Sequence, residues 1–208
     1  MASKLNRNDL LIVSTHSKIY CLDKNNGSRI WRKEYLGSMK GSISLYINDA
    51  DLLIAAAGGT AYGYDLFTGS VKWTNSMDGM GSHEVAVTST STNDVARLAP
   101  DYEAISDRPP AYIASQKSVV ILCSYGMVIG VDSTTGQTMW RYRCPDGIQH
   151  MPAVISEADK VYIGSGRMVS ALNPKNGQKI WTVSASNSVM RSCAMTMATV
   201  WGSRQAEM

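Results

Sequence analysis

The chain lacks the residue patterns that disulfide frameworks and most metal sites require. Its 208 residues include four cysteines and three histidines, and no two cysteines are adjacent or spaced as Cys-x-x-Cys. The amino-terminal residues contain no apolar core of the kind that a secretory signal peptide carries. We therefore expect reduced cysteines packed inside strands and a cytoplasmic location.

Long apolar runs and basic clusters are also missing. No stretch of about eighteen apolar residues occurs, so we expect no membrane span. The formal net charge is only +3, and basic residues do not alternate with aromatic ones, which gives no support to nucleic-acid binding. A chain of 208 residues can bury on the order of 70% of its unfolded surface, so residues 1–208 are predicted to form a single domain.

One short motif occurs four times along the chain. Each copy has Asp or Asn, then Gly four residues later, then Trp four residues after the Gly. The copies span 23–31, 65–73, 132–140 and 173–181. Their tryptophans are 42, 67 and 41 residues apart, so the period is about forty with one insertion of about twenty-five in the third unit. This period is the length of a four-stranded propeller blade, a unit that buries its apolar faces only against copies of itself.

Each repeat alternates β-rich runs with a turn. In the first unit the runs 10–14, 18–23 and 29–35 are rich in β-branched and alternating residues, which predicts strands. The Asp or Asn opens the turn by bonding nearby backbone N–H groups, and the Gly supplies a positive φ. The Trp is expected to fill the wedge between adjacent blades while its indole N–H bonds a neighbouring carbonyl.

These motifs resemble the tryptophan-docking motif of the PQQ-like repeat, the A-x-D-x-x-T-G-x-x-x-W pattern of quinoprotein alcohol dehydrogenase-like β-propellers. The T-G pair is Thr68-Gly69 and Thr135-Gly136 in two copies, and it varies to Asn26-Gly27 and Asn176-Gly177 in the others. The resemblance covers nearly the whole chain and implies an all-β propeller of four-stranded antiparallel blades, with four PQQ-like repeats. Such propellers include dehydrogenases, assembly scaffolds and sensors, so it implies little about function.

The order of strands in the chain predicts how the ring closes. The chain opens on a second strand near Leu10, and 192–199 read as a first strand, so this segment is predicted to supply the strand that the first blade lacks. Four blades could close within one chain, or two chains could form an eight-bladed two-fold homodimer, which we prefer. A third alternative is a fragment in which 201–208 begin a fifth unit.

One insertion, at about 89–117, interrupts the third unit and is rich in Ser, Thr, Asn, Asp and Pro. It is predicted to join the first and second strands of the third blade. In an alternative frame the first strand starts at 110–113, which moves the insertion to the opposite face. Long loops on rigid frames often carry binding function, but many are merely tolerated, and both interpretations stay open.

A second register lies ten residues after each Trp and predicts the binding residues. These positions start the first strand of the next blade, and the loops around them gather at one face of the ring, which by the resemblance is the face that holds ligands. The ligand-binding candidates are Lys40, Ser82, His83, Gln149, His150 and Arg191. Histidines favour zinc, copper or nickel, but His83 and His150 alone are not a complete ligand set, so we predict no metal.

The resemblance also bears on catalysis. In the family's dehydrogenases a quinone lies over a Trp floor beneath a disulfide of adjacent cysteines, with calcium and a catalytic Asp nearby. This chain has no adjacent cysteines, and Asp65 and Asp132 belong to the turn motif. We therefore predict no cofactor and a non-catalytic propeller that binds a small molecule or a glycan, as a lectin does. The alternatives are a protein-interaction scaffold and, second, a reduced quinoprotein dehydrogenase.

Overall fold

Antiparallel strands make up nearly all of the regular structure. The computed structural model describes residues 6–37, 42–90, 118–146, 151–157, 159–185, 195–199 and 202–205. Within these ranges the helical structure is one 3₁₀ turn at Arg7–Asp9, and no helix there is long and apolar enough to cross a membrane.

The described strands form five sheets in which neighbours along the chain are also neighbours in the sheet. The first sheet contains β1 (Leu10–Thr15), β2 (Lys18–Asp23) and β3 (Arg29–Glu34). The second contains β4 (Ser44–Ile47), β5 (Leu52–Ala57), β6 (Thr60–Asp65) and β7 (Val71–Asn75). The third contains β8 (Ala86–Ser89), β9 (Val119–Ser124), β10 (Met127–Asp132) and β11 (Thr138–Arg143). The fourth contains β12 (Ala153–Ser156), β13 (Val161–Ser165), β14 (Met168–Leu172) and β15 (Lys179–Ser184), and the fifth contains β16 (Thr196–Thr199) and β17 (Gly202–Gln205).

These sheets follow one another as the blades of a propeller. The first strands lie side by side, because β8 contacts both β4 and β12, and β12 contacts β16 and β17. Apolar clusters fill the space between successive blades, such as Ile19 with Leu53, Trp73 with Leu122, and Trp140 with Ile163. The predicted all-β propeller of antiparallel blades is therefore confirmed, with four strands in the second, third and fourth sheets.

Three of the four motif tryptophans dock on the following blade as predicted. The indole nitrogens of Trp31, Trp73 and Trp140 donate hydrogen bonds to the carbonyls of Leu66, Ser133 and Pro174, at 3.0, 2.8 and 2.8 Å. Each acceptor directly follows the Asp or Asn that opens the turn of the next sheet. A Cβ on the turn glycine would lie only 2.6 to 2.8 Å from the indole, so the motif glycine permits close packing as well as a positive φ.

The turn itself is held by its acidic residue. The Asp65 carboxylate accepts hydrogen bonds from the backbone N–H of Phe67 and from both the backbone and the side chain of Thr68. Burial alone would raise the pKa of Asp65, but the bonds from Thr68 and the ion pair with Lys72 bring it below its ordinary value of 3.8.

The long connection in the third unit joins the first strand of its sheet to the second. β8 pairs with β9, and beyond the last pair the Thr90 N–H donates to the Val119 carbonyl at 2.9 Å while the Val119 N–H donates to Thr90 Oγ1 at 2.8 Å. The two ends of the connection are therefore fixed side by side. Residues 91–117, including the alternative strand at 110–113, lie outside the described residues.

The carboxy-terminal strand pairs differently from the prediction. β16 lies in the segment 192–199, but its partner is β17, with Ala198 opposite Ser203, and β1 pairs with β2 in a three-stranded sheet. β17 thus occupies the place beside β16 that β1 was expected to take. The physical reason is that a hairpin closes a far smaller loop than pairing with the opposite end of the chain.

Three cysteines are buried free thiols. Cys21 lies in β2, Cys123 in β9, and Cys144 directly after β11. Burial raises the pKa of Cys21 and Cys144 to about 11 and raises that of Cys123 well above its ordinary value of 9.0, so these residues behave as small core side chains. The fourth cysteine, Cys193, lies outside the described residues.

Candidate functional site

One end of the blades collects the hairpins and the connections between sheets. Antiparallel strands alternate in direction, so the turns joining second to third strands emerge at the same end as the links from each fourth strand to the next first strand. We call this end the hairpin face; its described parts include turns 16–17, 58–59, 125–126 and 166–167 and the connection 76–85. The Asx-Gly turns and the long insertion emerge at the opposite end.

Buried side chains anchor the connection 76–85 between the second and third sheets. Met77, Met80 and Val85 are buried in the cluster between the second and third sheets. The buried amide of Asn75 accepts a hydrogen bond from the Met77 N–H at 2.8 Å and donates to the Gly136 carbonyl at 2.7 Å. These contacts fix a loop that carries no regular secondary structure.

The same connection crosses directly over two hairpins. The Gly58 N–H donates to the His83 carbonyl at 3.2 Å, and Ser124 Oγ donates to the Glu84 carbonyl at 2.8 Å. A Cβ at Gly59 would lie 2.7 Å from the Gly81 carbonyl oxygen, so the crossing requires glycine at residue 59, where φ is +82°. The second and third sheets are thereby tied together at the hairpin face.

A flat pair of rings lies on top of this crossing. The imidazole of the exposed His83 stacks on the half-buried phenol of Tyr125, with ring centroids 5.0 Å apart and planes inclined by only 3°. Tyr125 reaches this place because it has a left-handed backbone, with φ of 52°, in the β9–β10 turn. Gly81 packs beneath both rings, since a Cβ there would lie 3.2 Å from His83 Cδ2 and 3.3 Å from Tyr125 Cγ. We call His83 and Tyr125 the ring platform.

The family follows from a comparison of the whole sequence with models of known families. The model described as outer membrane protein assembly factor BamB matches residues 4–142 and 89–205, which together include nearly the whole chain. The chain belongs to this family of PQQ-like repeat propellers. No curated protein matches it.

Two solved structures illustrate how far the similarity extends. BamB from Moraxella catarrhalis is 18% identical, with a TM-score of 0.49, over 86% of this chain and 49% of that one. The computationally designed Ika8 protein is 14% identical, with a TM-score of 0.60, over 95% of this chain and 52% of that one. This PQQ-like repeat propeller thus spans about half the length of both structures, and the likeness to Ika8 concerns the fold alone.

The structure describes two of the six predicted ligand-binding residues of this PQQ-like propeller. Ser82 is half-buried in the connection 76–85, next to His83 in the ring platform. The other four lie outside the described residues: Lys40, Gln149, His150 and Arg191. Among the described ranges, no group of three or more His, Cys, Asp or Glu side chains is arranged to hold a metal ion.

Two residues of this site were not predicted from the sequence. Tyr125 forms half of the ring platform, and the exposed Arg141 guanidinium donates to the carbonyl of Asp78 at the edge of the connection. Neither residue belongs to the register ten residues after each Trp. The sequence did contain a signal for Tyr125. It precedes Gly126 in the hairpin of the third sheet, at the position that Gly58 holds in the second sheet, and all hairpins of this kind emerge at one face.

Proposed function

We propose that the chain is a non-catalytic recognition scaffold that binds a protein partner at its hairpin face. The observation that supports this most directly is the ring platform, in which an exposed imidazole lies flat on a tyrosine. Aromatic residues and arginine are typical of the residues that dominate protein interfaces, and the exposed Arg141 of β11 bonds the same connection through the carbonyl of Asp78. The description of the family model as an assembly factor agrees with such a role.

The anchoring of the platform favours binding. Its backbone is already held by buried methionines, by the Asn75 amide and by hydrogen bonds to two hairpins. A partner would therefore not have to order this loop, and the entropic cost of association is reduced accordingly. A homodimer and a cytoplasmic location also stay predictions.

Photocrosslinking tests this proposal. A photoreactive phenylalanine analogue placed at His83 in cells that express the protein should capture a discrete protein species. The same analogue at Thr134, an exposed residue of an Asx-Gly turn at the opposite end, is the matched control and should capture none. Equal capture at both positions, or none at either while the variants remain folded, would contradict protein recognition by the hairpin face.

Glycan binding is the second candidate, because the flat, exposed imidazole of His83 would suit stacking against a sugar ring. A glycan array separates the two functions. Competable binding that is lost in His83→Ala and retained in Thr134→Ala would favour the glycan. A blank array together with a crosslink at His83 would favour the protein partner.

A further inference from the structure

Two blades have a face that the described chain leaves uncovered. In the first sheet, Leu11 and Val13 are 45% and 36% exposed. The strand register makes them equivalent to Leu53 and Ala55 in the second sheet, which are completely buried against the first. The first sheet therefore presents the apolar pattern of a blade interface that no blade among the described residues covers.

The fourth sheet has the complementary face, which Met195 and Met197 cover at Gly164 of β13 but which is exposed along β15. Trp181 is 38% exposed, whereas the equivalent Trp140 is 8% exposed, and two residues further along β15 Val183 is 52% exposed. The Trp181 indole is tilted against Tyr162 of its own sheet, with ring centroids 6.0 Å apart. Its Nε1 donates to no carbonyl among the described residues, unlike that of the other three motif tryptophans.

The first sheet also has the turn that such a tryptophan would require. Gly27 has the positive φ of the other motif glycines, at +72°, but nothing lies within 4 Å of the Cβ position where the others meet an indole. Lys24 follows Asp23 as Leu66 follows Asp65, so its carbonyl stands at the acceptor position. This is the same docking turn, with no tryptophan of the described residues packed on it.

We infer that the fourth sheet of one copy docks on the first sheet of a second copy, with Trp181 packed on Gly27 and its Nε1 bonded to the carbonyl of Lys24. The chain builds this interface three times internally, from the same residue types in the same register. In two copies related by a two-fold axis, the fourth sheet of each copy packs on the first sheet of the other. Both interfaces form at once, and the blades make a closed ring.

Docking also accounts for the exposed edge of β1. In the first sheet β1 has a partner on one side, whereas the second strands β5 and β9 pair on both sides. In the ring, β1 of the second copy takes the place beside β16 that β17 holds in the single chain. The β16–β17 ladder has only four residue pairs, and pairing between two strands contributes little stability by itself.

The experiment is a comparison of molar mass in solution by sedimentation equilibrium. The unaltered chain should have twice its mass of 22.6 kDa. Trp181→Ala and Gly27→Asn should each shift it to the monomer mass, because asparagine tolerates a positive φ while its Cβ blocks the indole. Gly79→Asn is the matched control: Gly79 has φ of +79° and open space, but lies away from both end sheets, so the dimer should persist.

Mixing the variants distinguishes docking from misfolding. Trp181→Ala keeps an intact turn and Gly27→Asn keeps an intact tryptophan, so an equimolar mixture retains one complete interface and should recover dimer. A misfolded variant would not complement another. A monomeric unaltered chain, or a dimer unaffected by both substitutions, would overturn the inference. Substitution of His83 should leave the mass unchanged, so failure of this inference is separable from failure of the proposed function.

Discussion

At the scale of single residues, glycine explains how Trp73 and Trp140 are held. The indole of Trp140 lies between two glycines: a Cβ on Gly130, its cross-strand partner, would lie 2.1 Å from Cε2, and a Cβ on Gly177 of the next sheet would lie 2.6 Å away. Trp73 lies in the same way between Gly63 and Gly136. The flat ring therefore has backbone on both faces, and neither face has room for a methyl group.

The substitution Gly130→Ala tests this packing. We expect it to lower the free energy of unfolding by about 1–3 kcal/mol, the range found for overpacked cores, as measured by urea denaturation. The equivalent position in the fourth sheet is Ala171, opposite the exposed Trp181, so the strand backbone accepts alanine. An unchanged transition midpoint would show that the Trp140 ring is not confined as described.

At the scale of strands and turns, much of the structure was predictable. The hydrophobic runs and the Asp-x3-Gly-x3-Trp spacing indicated the strands, the turns and the docking contacts, because these depend on local residue chemistry. Local chemistry did not indicate the register shift that recurs in every third strand, as between Gly63 and Tyr64 and between Gly130 and Val131. It also did not indicate that Tyr125 would meet His83, since that contact depends on how two sheets are placed.

The long insertion offers a test at this scale. Replacing 91–117 by Asn-Gly should leave the melting temperature nearly unchanged, because Thr90 and Val119 already fix both ends of the connection and shorter loops cost less entropy to close. Thermal denaturation followed by circular dichroism measures the change. A large loss of stability would show that the insertion packs on the blades. Crosslinking at His83 should persist, because the insertion emerges at the opposite end.

At the scale of the whole molecule, the sheets differ in how many of their faces are covered. The second and third sheets pack against neighbours on both sides, whereas the first and fourth each present uncovered apolar residues. The sequence predicted the number of repeats but not the partner of β16, and closure of the ring stays a prediction. That choice depends on competition between a local hairpin and a distant strand, which periodicity does not reveal.

Hydrogen exchange should show directly which sheets have uncovered apolar residues. In the Gly27→Asn variant, amides of β1 and β15 should exchange before those of β9 and β10, because the first and fourth sheets have apolar residues that no neighbour covers and open at a lower free-energy cost. Mass spectrometry of peptides from these strands measures the order. In the unaltered protein, docking of a second copy should reduce the difference in exchange rate between these two pairs of strands. Simultaneous exchange of all four strands in the variant would indicate a single cooperative unit instead.

The tryptophan contact has a direction, because the indole of each blade packs on the turn of the next blade along the chain. A unit added by tandem duplication would therefore carry both the indole and the turn, so neither neighbouring blade would need a compensating substitution. Gene duplication can lengthen such a chain by whole blades, and the geometry of the ring then decides which lengths survive selection.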